Sequence, residues 1–511
     1  MPSRGSGSLS GKFVIYYWLC LIIGLAAVTR IYGISHAALW FDEAYSVLTS
    51  REPISSIWTH SANDVHPPLY YMLLHGWAAL FGDSIVSVRA LSALLGVITV
   101  VLGVWLTRLI ATRRAAILAG LLIAVLPIAV RYSQEARMYA LLAVLSVAAT
   151  LVLIYWVRNP QRNGYACGYA LLIAAGLYTH YFAGPCVISH WLYILFLRTR
   201  GHPFIKLPAW WLANGAVILI YLPWVPSLIA QFEATNGLYW TPPVTLFLVL
   251  SQLWQFLTLT DGYEGSLLLF ASLPLIVTLL TAIPVKADHD QYRFSVLLAV
   301  YTFVPLLIVA LASLKVPLYW TRYFLPFAIG LPLIMAIALD LLLDLHRWVA
   351  RICLAGLLAV QGVGLFNVYS GQFKLNNPEQ RLETRIDAAV AYVAEHWTSG
   401  DRILVYGLHM LPGTLYYNQT GTVPYLYTAD SLGGRPYNRF AGEFWLGDGS
   451  VLFADSYESL PKDTQRVWFI YDVHQSTVAV PGHWLMIDHF SAGDTQLWLY
   501  AVKRTGSRQA R

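Results

Sequence analysis

Long apolar runs decide what this chain can become. About eleven stretches of roughly 20 apolar residues follow one another along the first 370 positions, separated by short polar loops, and a stretch of that length is what a helix needs to cross a bilayer. The whole chain has 511 residues, of which 57% are hydrophobic and only 12% charged, half the charged share of an average soluble domain. One globular core cannot hide that much apolar surface, so the chain needs lipid. The formal net charge of +6 does not point to nucleic acid, because the basic residues sit in loops between the runs. Cys20, Cys167, Cys186 and Cys353 lie inside the runs, and no disulfide framework or cysteine metal site follows from them.

The expected spans are 13–33, 88–109, 115–130, 138–157, 165–180, 183–197, 208–228, 266–285, 294–314, 323–343 and 352–369. The run at 13–33 is too long for a signal-peptide core and is read as a retained first helix. Basic clusters at Arg108, Arg113 and Arg114, at Arg158 and Arg162, at Arg198, Arg200 and Lys206, at Lys286 and Arg293, and at Arg347 and Arg351 occupy alternating loops, which marks those loops as cytoplasmic. The parity closes if two shorter apolar stretches, 67–81 and 244–260, lie at the outer surface without crossing. The amino terminus is then inside and the carboxyl-terminal tail outside.

This gives residues 1–370 as a transmembrane domain with an outer loop at 34–87, and 371–511 as a soluble domain of about 140 residues, within the usual domain range. In the tail, 381–397 has apolar residues at helical spacing, and 402–406, 467–471 and 496–502 read as strands. The expected fold class is a polytopic α-helical membrane protein with a small extracytoplasmic α/β domain.

Polar residues gather in the outer loops. Leu39-Trp40-Phe41-Asp42-Glu43-Ala44-Tyr45 follows the first span; its carboxylates can act as a base, hold a cation or bind sugar hydroxyls, or simply sit at a helix start. In His66-Pro67-Pro68-Leu69-Tyr70-Tyr71 the proline pair starts a helix, leaving His66 at its positive end, where an anion binds unless the histidine is merely interfacial. Arg131-Tyr132-Ser133-Gln134-Glu135-Ala136-Arg137-Met138-Tyr139 joins two apolar spans, and charge so close to the membrane is costly; it reads as an ion-paired site edge or an interfacial salt bridge. Lys315 and Arg322 break the positive-inside trend. A phosphate suits a guanidinium, with snorkelling to lipid headgroups as the competing reading. Arg30 is a similar exception, and His180 ends a span among aromatic residues on the same side. Asn418-Gln419-Thr420 matches a glycosylation acceptor, a pattern common by chance.

In this order the clusters resemble the GT-C superfamily of membrane glycosyltransferases, and most closely the bacterial branch similar to protein O-mannosyltransferases and lipid A aminoarabinose transferases (glycosyltransferase family 39-like). The likeness covers 13 to about 369. The acidic pair after the first span is Asp42-Glu43; the Pro-Pro segment is Pro67-Pro68, with His66 where relatives often carry Lys; the second-loop acid is Glu135; the late Arg-Tyr with a nearby proline is Arg322-Tyr323 and Pro326. A histidine at position 66 makes anion binding pH-dependent.

The resemblance implies transfer from a polyprenyl-phosphate sugar to an acceptor hydroxyl on a glycan, lipid or protein, with inversion. Asp42 is then the general base. Glu43 and Glu135 orient sugar or acceptor or, if a divalent metal takes part, hold it with Asp42. His66, Arg137, Lys315 and Arg322 hold the donor phosphate, and Tyr45, Gln134, Tyr139, His180 and Tyr323 meet sugar or acceptor. No cofactor is required by the sequence. Three rivals remain: a secondary transporter, against which stand acids at helix ends and no visible repeat; a transferase of whole oligosaccharides or polymers; and a receptor or scaffold whose outer domain does the binding.

Overall fold

The structure is a computed structural model that describes residues 9–235, 243–262, 266–371, 384–427, 452–454, 456–474 and 480–502. Helices α1 (Leu9–Ile31), α2 (Phe41–Arg51), α3 (Ile54–Ala62), α4 (Leu69–Phe81) and α5 (Ile85–Ile110) open the chain. They are followed by α6 (Arg113–Ala124), α7 (Pro127–Ser133), α8 (Tyr139–Arg158), α9 (Asn163–Thr179), α10 (Ala183–Thr199), α11 (Pro208–Tyr221), α12 (Val225–Thr235) and α13 (Leu246–Thr258). The helical part ends with α14 (Leu267–Ala287), α15 (Phe294–Ala312), α16 (Leu325–Ala328), α17 (Gly330–Leu345) and α18 (Arg347–Ser370).

A helix or a pair of helices occupies each of the expected spans. Seven helical stretches among the described residues are long and apolar enough to cross a membrane, or eight if a bent pair counts as one. Of the remaining three spans, α9 and α10 have 17 residues each, the lower limit for a crossing, and α1 has 23. The stretches 67–81 and 244–260 form α4 and α13, with 13 residues each. At 1.5 Å per residue each is about 20 Å long, against a hydrocarbon core of roughly 30 Å.

The bent pair is α6 and α7, which meet at 56°. Pro127 at the first position of α7 has no N–H to continue the ladder of α6, so the last carbonyls of α6 need other donors. Side chains supply them: Gln361 Nε2 donates to Leu122 O at 3.2 Å, Arg30 to Ile123 O at 3.3 Å and Ala124 O at 3.0 Å, and Thr29 Oγ1 to Ala124 O at 3.0 Å. At its other end α6 is tied to α17, where Arg114 pairs with Asp340 and, at 2.7 Å, with Asp344.

The chain falls into two compact units: Met1–Ile34, His66–Leu73 and Val86–Pro378 form the first, and Ser35–Val65, Leu74–Ile85 and Glu379–Arg511 the second. By this packing positions 35–65 and 74–85 group with the carboxyl-terminal residues.

In the second unit, α19 (Ile386–Glu395) and α20 (Leu411–Tyr417) accompany β1 (Asp401–Tyr406), β2 (Tyr425–Tyr427), β3 (Leu452–Ala454), β4 (Arg466–Asp472), β5 (Leu485–Ala492) and β6 (Thr495–Ala501). The sheet order is β3-β2-β1-β4-β6-β5. Strands β3, β2, β1 and β4 are parallel, and β6 and β5 add antiparallel at one edge. The expected helix and three strands appear as α19, β1, β4 and β6; positions 381–383 of that helix lie outside the described residues. Ile386, Ala389, Val390 and Val393 pack with Ile403, Val405, Trp468, Ile470, Leu497 and Leu499 as one core. Asp401 anchors the first strand: its carboxylate accepts from Arg466 at 2.6 and 2.8 Å, from Trp468 Nε1 at 2.9 Å, and from the backbone and hydroxyl of Thr398 at 3.0 Å each.

Candidate functional site

Four of the singled-out residues share one buried cluster in the first unit. His66 precedes α4, Tyr139 begins α8, His180 caps the end of α9, and Tyr323 precedes α16. Ring centroids lie 5.5 Å apart for His66 and His180, 4.9 Å for His180 and Tyr323, 6.0 Å for Tyr139 and His180, and 6.2 Å for Tyr139 and Tyr323. Phe182 closes against Tyr323 at 4.7 Å, and Tyr132 meets Tyr139 at 5.3 Å. The Phe182 backbone N–H donates to His180 Nδ1 at 3.1 Å, so the neutral ring carries its proton on Nε2.

Arg131, Arg137, Arg322 and Glu135 bring charge to this aromatic cluster. Arg137 reaches Tyr71 Oη at 3.4 Å and lies within electrostatic reach of His180. Arg131 Nη1 pairs with Glu135 Oε1 at 3.0 Å, an i,i+4 pair carried by the end of α7 and the loop after it. Arg322 stands over the Trp320 ring at 5.3 Å, and Arg322, Glu135 and Arg131 all act electrostatically on Tyr132. Each arginine is less than a tenth exposed, and Glu135 is 1% exposed. Glu135 Oε2 is buried with no hydrogen-bond partner among the described residues.

The remaining candidates sit elsewhere. Gln134 turns away from the rings: its Nε2 donates to the carbonyls of Arg30 at 3.2 Å and Tyr32 at 2.7 Å, which ties the site loop to the end of α1. Lys315 is exposed just past the end of α15. Asp42, Glu43 and Tyr45 lie on the first turns of α2 in the second unit, with Glu43 fully buried and Asp42 half-buried. Among the described residues no group of three His, Cys, Asp or Glu side chains is arranged to hold a metal ion.

Sequence reasoning left Tyr71, Tyr132 and Phe182 out of the site. Tyr71 and Tyr132 stand inside two of the motifs, and position within a motif was the available signal. Phe182 had none, since its contact with Tyr323 spans 141 positions and depends on the packing of several helices.

These elements and their order define a polytopic helical membrane protein with a small α/β domain. A family model described as dolichyl-phosphate-mannose-protein mannosyltransferase matches residues 65–226, less than half of the chain but including His66, Glu135, Arg137, Tyr139 and His180. The fold is similar to that of ArnT from Cupriavidus metallidurans bound to undecaprenyl phosphate, with 14% identity and a TM-score of 0.61 over 94% of this chain and 98% of that one. It is also similar to the oligosaccharyltransferase AglB from Archaeoglobus fulgidus in complex with an inhibitory peptide and a dolichol-phosphate, with 12% identity and a TM-score of 0.54 over 91% of this chain and 70% of that one. No curated protein matches the sequence. At these identities the solved structures establish the fold, and the activity must be argued from the site.

Proposed function

We propose that this protein is a glycosyltransferase that moves a sugar from a polyprenyl-phosphate donor to an acceptor hydroxyl on a glycan, lipid or protein. One observation carries the reading: Arg131, Arg137 and Arg322 gather with Glu135 among buried aromatic rings in a membrane protein. A guanidinium suits a phosphate, and suits it better as the charge on the leaving phosphate grows. The aromatic faces of Tyr139, Tyr323 and Phe182 suit the apolar face of a pyranose. Glu135 Oε2, without a hydrogen-bond partner among the described residues, supports a role in accepting a sugar hydroxyl, which would satisfy a buried acceptor otherwise costly to leave open.

In the reaction the acceptor O–H gives its proton to the Asp42 carboxylate while its oxygen attacks the anomeric carbon. The bond from that carbon to the phosphate oxygen breaks, and its electron pair leaves with the polyprenyl phosphate. Arg137 and Arg322, with His66, stabilise the charge that develops on the leaving phosphate. In-line attack inverts the anomeric centre. The donor carries its own leaving group, so the scheme calls for no resident cofactor. The charge clusters of the loops support an amino terminus in the cytoplasm and a carboxyl-terminal domain outside it.

Purified protein in nanodiscs, given a polyprenyl-phosphate sugar and acceptor lipid or peptide, tests the proposal. Asp42→Asn is expected to cut turnover by about 10²-fold or more while folding normally. Arg137→Met is expected to raise the donor KM. Full turnover in Asp42→Asn removes the residue from the base role, and transport of the intact donor without sugar release points to the transporter reading.

A further inference from the structure

The helix that carries the acidic pair has no side-chain cap at its start. Its N-cap position is Trp40, whose side chain makes no capping bond, and an indole is only a donor, so it cannot accept from the first helical N–H groups. The extended residues before it are held from outside. Ala38 packs into the core that Val390, Met410 and Leu411 share with the sheet. The Leu39 backbone N–H donates to Tyr417 Oη at 2.9 Å.

The other end of α2 is gripped by the neighbouring tyrosine. Arg51 lies over the Tyr416 ring at 5.3 Å and pairs with Asp83 at 2.8 Å, and Tyr416 Oη donates to the Asp83 carbonyl at 2.9 Å. Two consecutive residues of α20 therefore fix the two ends of an 11-residue helix, one through a backbone amide and one through a cation–π contact.

We infer that α20 of the carboxyl-terminal domain is the mount that sets the position of Asp42 and Glu43, with Tyr417 as a positioning residue for the transfer reaction. The inference rests on the reading of Asp42 as general base. Asp42 is three residues from the amide that Tyr417 holds, and Ser46 Oγ, one turn further on, donates to the Asp42 carbonyl at 2.8 Å. The backbone around the acid is thus fixed on both sides. A displacement of about 1 Å at a reacting group costs on the order of 10²-fold in rate, so a hydroxyl that touches no substrate has leverage over turnover.

Tyr417→Phe tests this in the full-length protein. It keeps the ring and deletes only the acceptor oxygen. The expected result is a fall in kcat of roughly tenfold or more, with donor KM and melting temperature unchanged. A purely structural tyrosine would lower the melting temperature or leave the kinetics alone. Tyr416→Phe, which keeps the ring under Arg51, is expected to fall between Tyr417→Phe and the parent. Wild-type kcat in Tyr417→Phe, beside an inactive Asp42→Asn, overturns the mount and leaves the base role standing. Full turnover in Asp42→Asn overturns the base role, and the mount falls with it.

Discussion

Arg30 in the first unit and Asp401 in the second are both fully buried, and they are accommodated by different means. In the membrane unit the charge is Arg30, fully buried, whose guanidinium donates to Ala26 O, Ile123 O and Ala124 O and to Thr29 Oγ1. None of these partners is a carboxylate; the negative pole is the broken end of α6, where unpaired carbonyls carry about half an elementary charge. In the second unit the charge is Asp401, fully buried and answered by a formal cation, Arg466, together with an indole and a threonine. The first arrangement works only while α6 and α7 stay bent, so it couples a charge to the geometry of the helix that leads into Arg131 and Glu135. The second is local to two adjacent strands and holds a sheet together without reference to any active residue.

The largest stability effect is expected where the counter-charge is formal. Asp401→Asn leaves Arg466 without its buried partner, a change that costs about 3 to 5 kcal/mol for deeply buried pairs. Since Arg466 is a quarter exposed, the low end applies. Hydrogen exchange in the whole protein should show the loss in β1 and β4, with the membrane helices unaffected. The same site responds to acid. Burial alone would raise the Asp401 carboxyl, but the bonds from Arg466, Thr398 and Trp468 outweigh it and hold the group below its ordinary value. A carboxyl lowered in the folded state lends stability that is complete above its unfolded value, near pH 4, and is lost as pH falls through the lowered folded value. Protection of β1 and β4 should therefore be flat from neutral pH to about pH 5, then decline below about pH 4. Asp401→Asn should lose that acid limb.

Arg30→Met comes next. It strips the donor from Ile123 O while Thr29 still serves Ala124 O, so roughly 1 to 3 kcal/mol is expected for the orphaned acceptor. Unlike Asp401→Asn, it should also slow transfer, because α7 and the Arg131–Glu135 pair follow from the bend. Lowered stability with an unchanged kcat would show the bend to be independent of the site. Gly96→Ala probes the same place more gently. A Cβ there would stand 2.1 Å from Ser133 Oγ and 2.6 Å from Arg30 Nε, forcing α5 and α7 apart at a cost of about 1 kcal/mol or more. A melting curve and a kcat on the same sample would separate packing from activity.

What the sequence disclosed follows from how local each feature is. The strands at 402–406, 467–471 and 496–502 were readable because each is a continuous apolar run, the mark of strands covered on both faces. β2 and β3 were not, having three residues each, too few for a period to register. Arg30 stood out as a cation on the unexpected side, but its partners are backbone carbonyls, which have no letter in a sequence. Pro127 inside the apolar run at 115–130 was the visible sign of the break, yet the run reads as one helix when only hydropathy is followed. In the site, His66, Glu135, Arg137 and Arg322 were legible as polar residues that lipid does not tolerate without reason. Gln134 shares their motif, yet its amide is committed to the carbonyls of Arg30 and Tyr32, because a motif fixes neighbours in the chain and leaves the direction of each side chain to packing.

The smallest effect belongs to Arg51, and it sharpens the contrast between buried and exposed charge. Arg51 and Asp83 pair at 2.8 Å, but their side chains are 42% and 43% exposed. An exposed pair is worth about 0.2 to 1 kcal/mol, and salt screens it. Arg51→Ala also gives up the cation–π contact over Tyr416, itself worth about 0.5 to 1 kcal/mol at an exposed site. The melting temperature should therefore move little, and still less in high salt. Turnover should hold better than in Tyr417→Phe, because the amino-terminal end of α2, where Asp42 sits, stays fixed at Leu39. If Arg51→Ala instead slows transfer as much as Tyr417→Phe does, α2 moves as a rigid rod held at both ends, and the far-end grip matters to the acid as much as the near one.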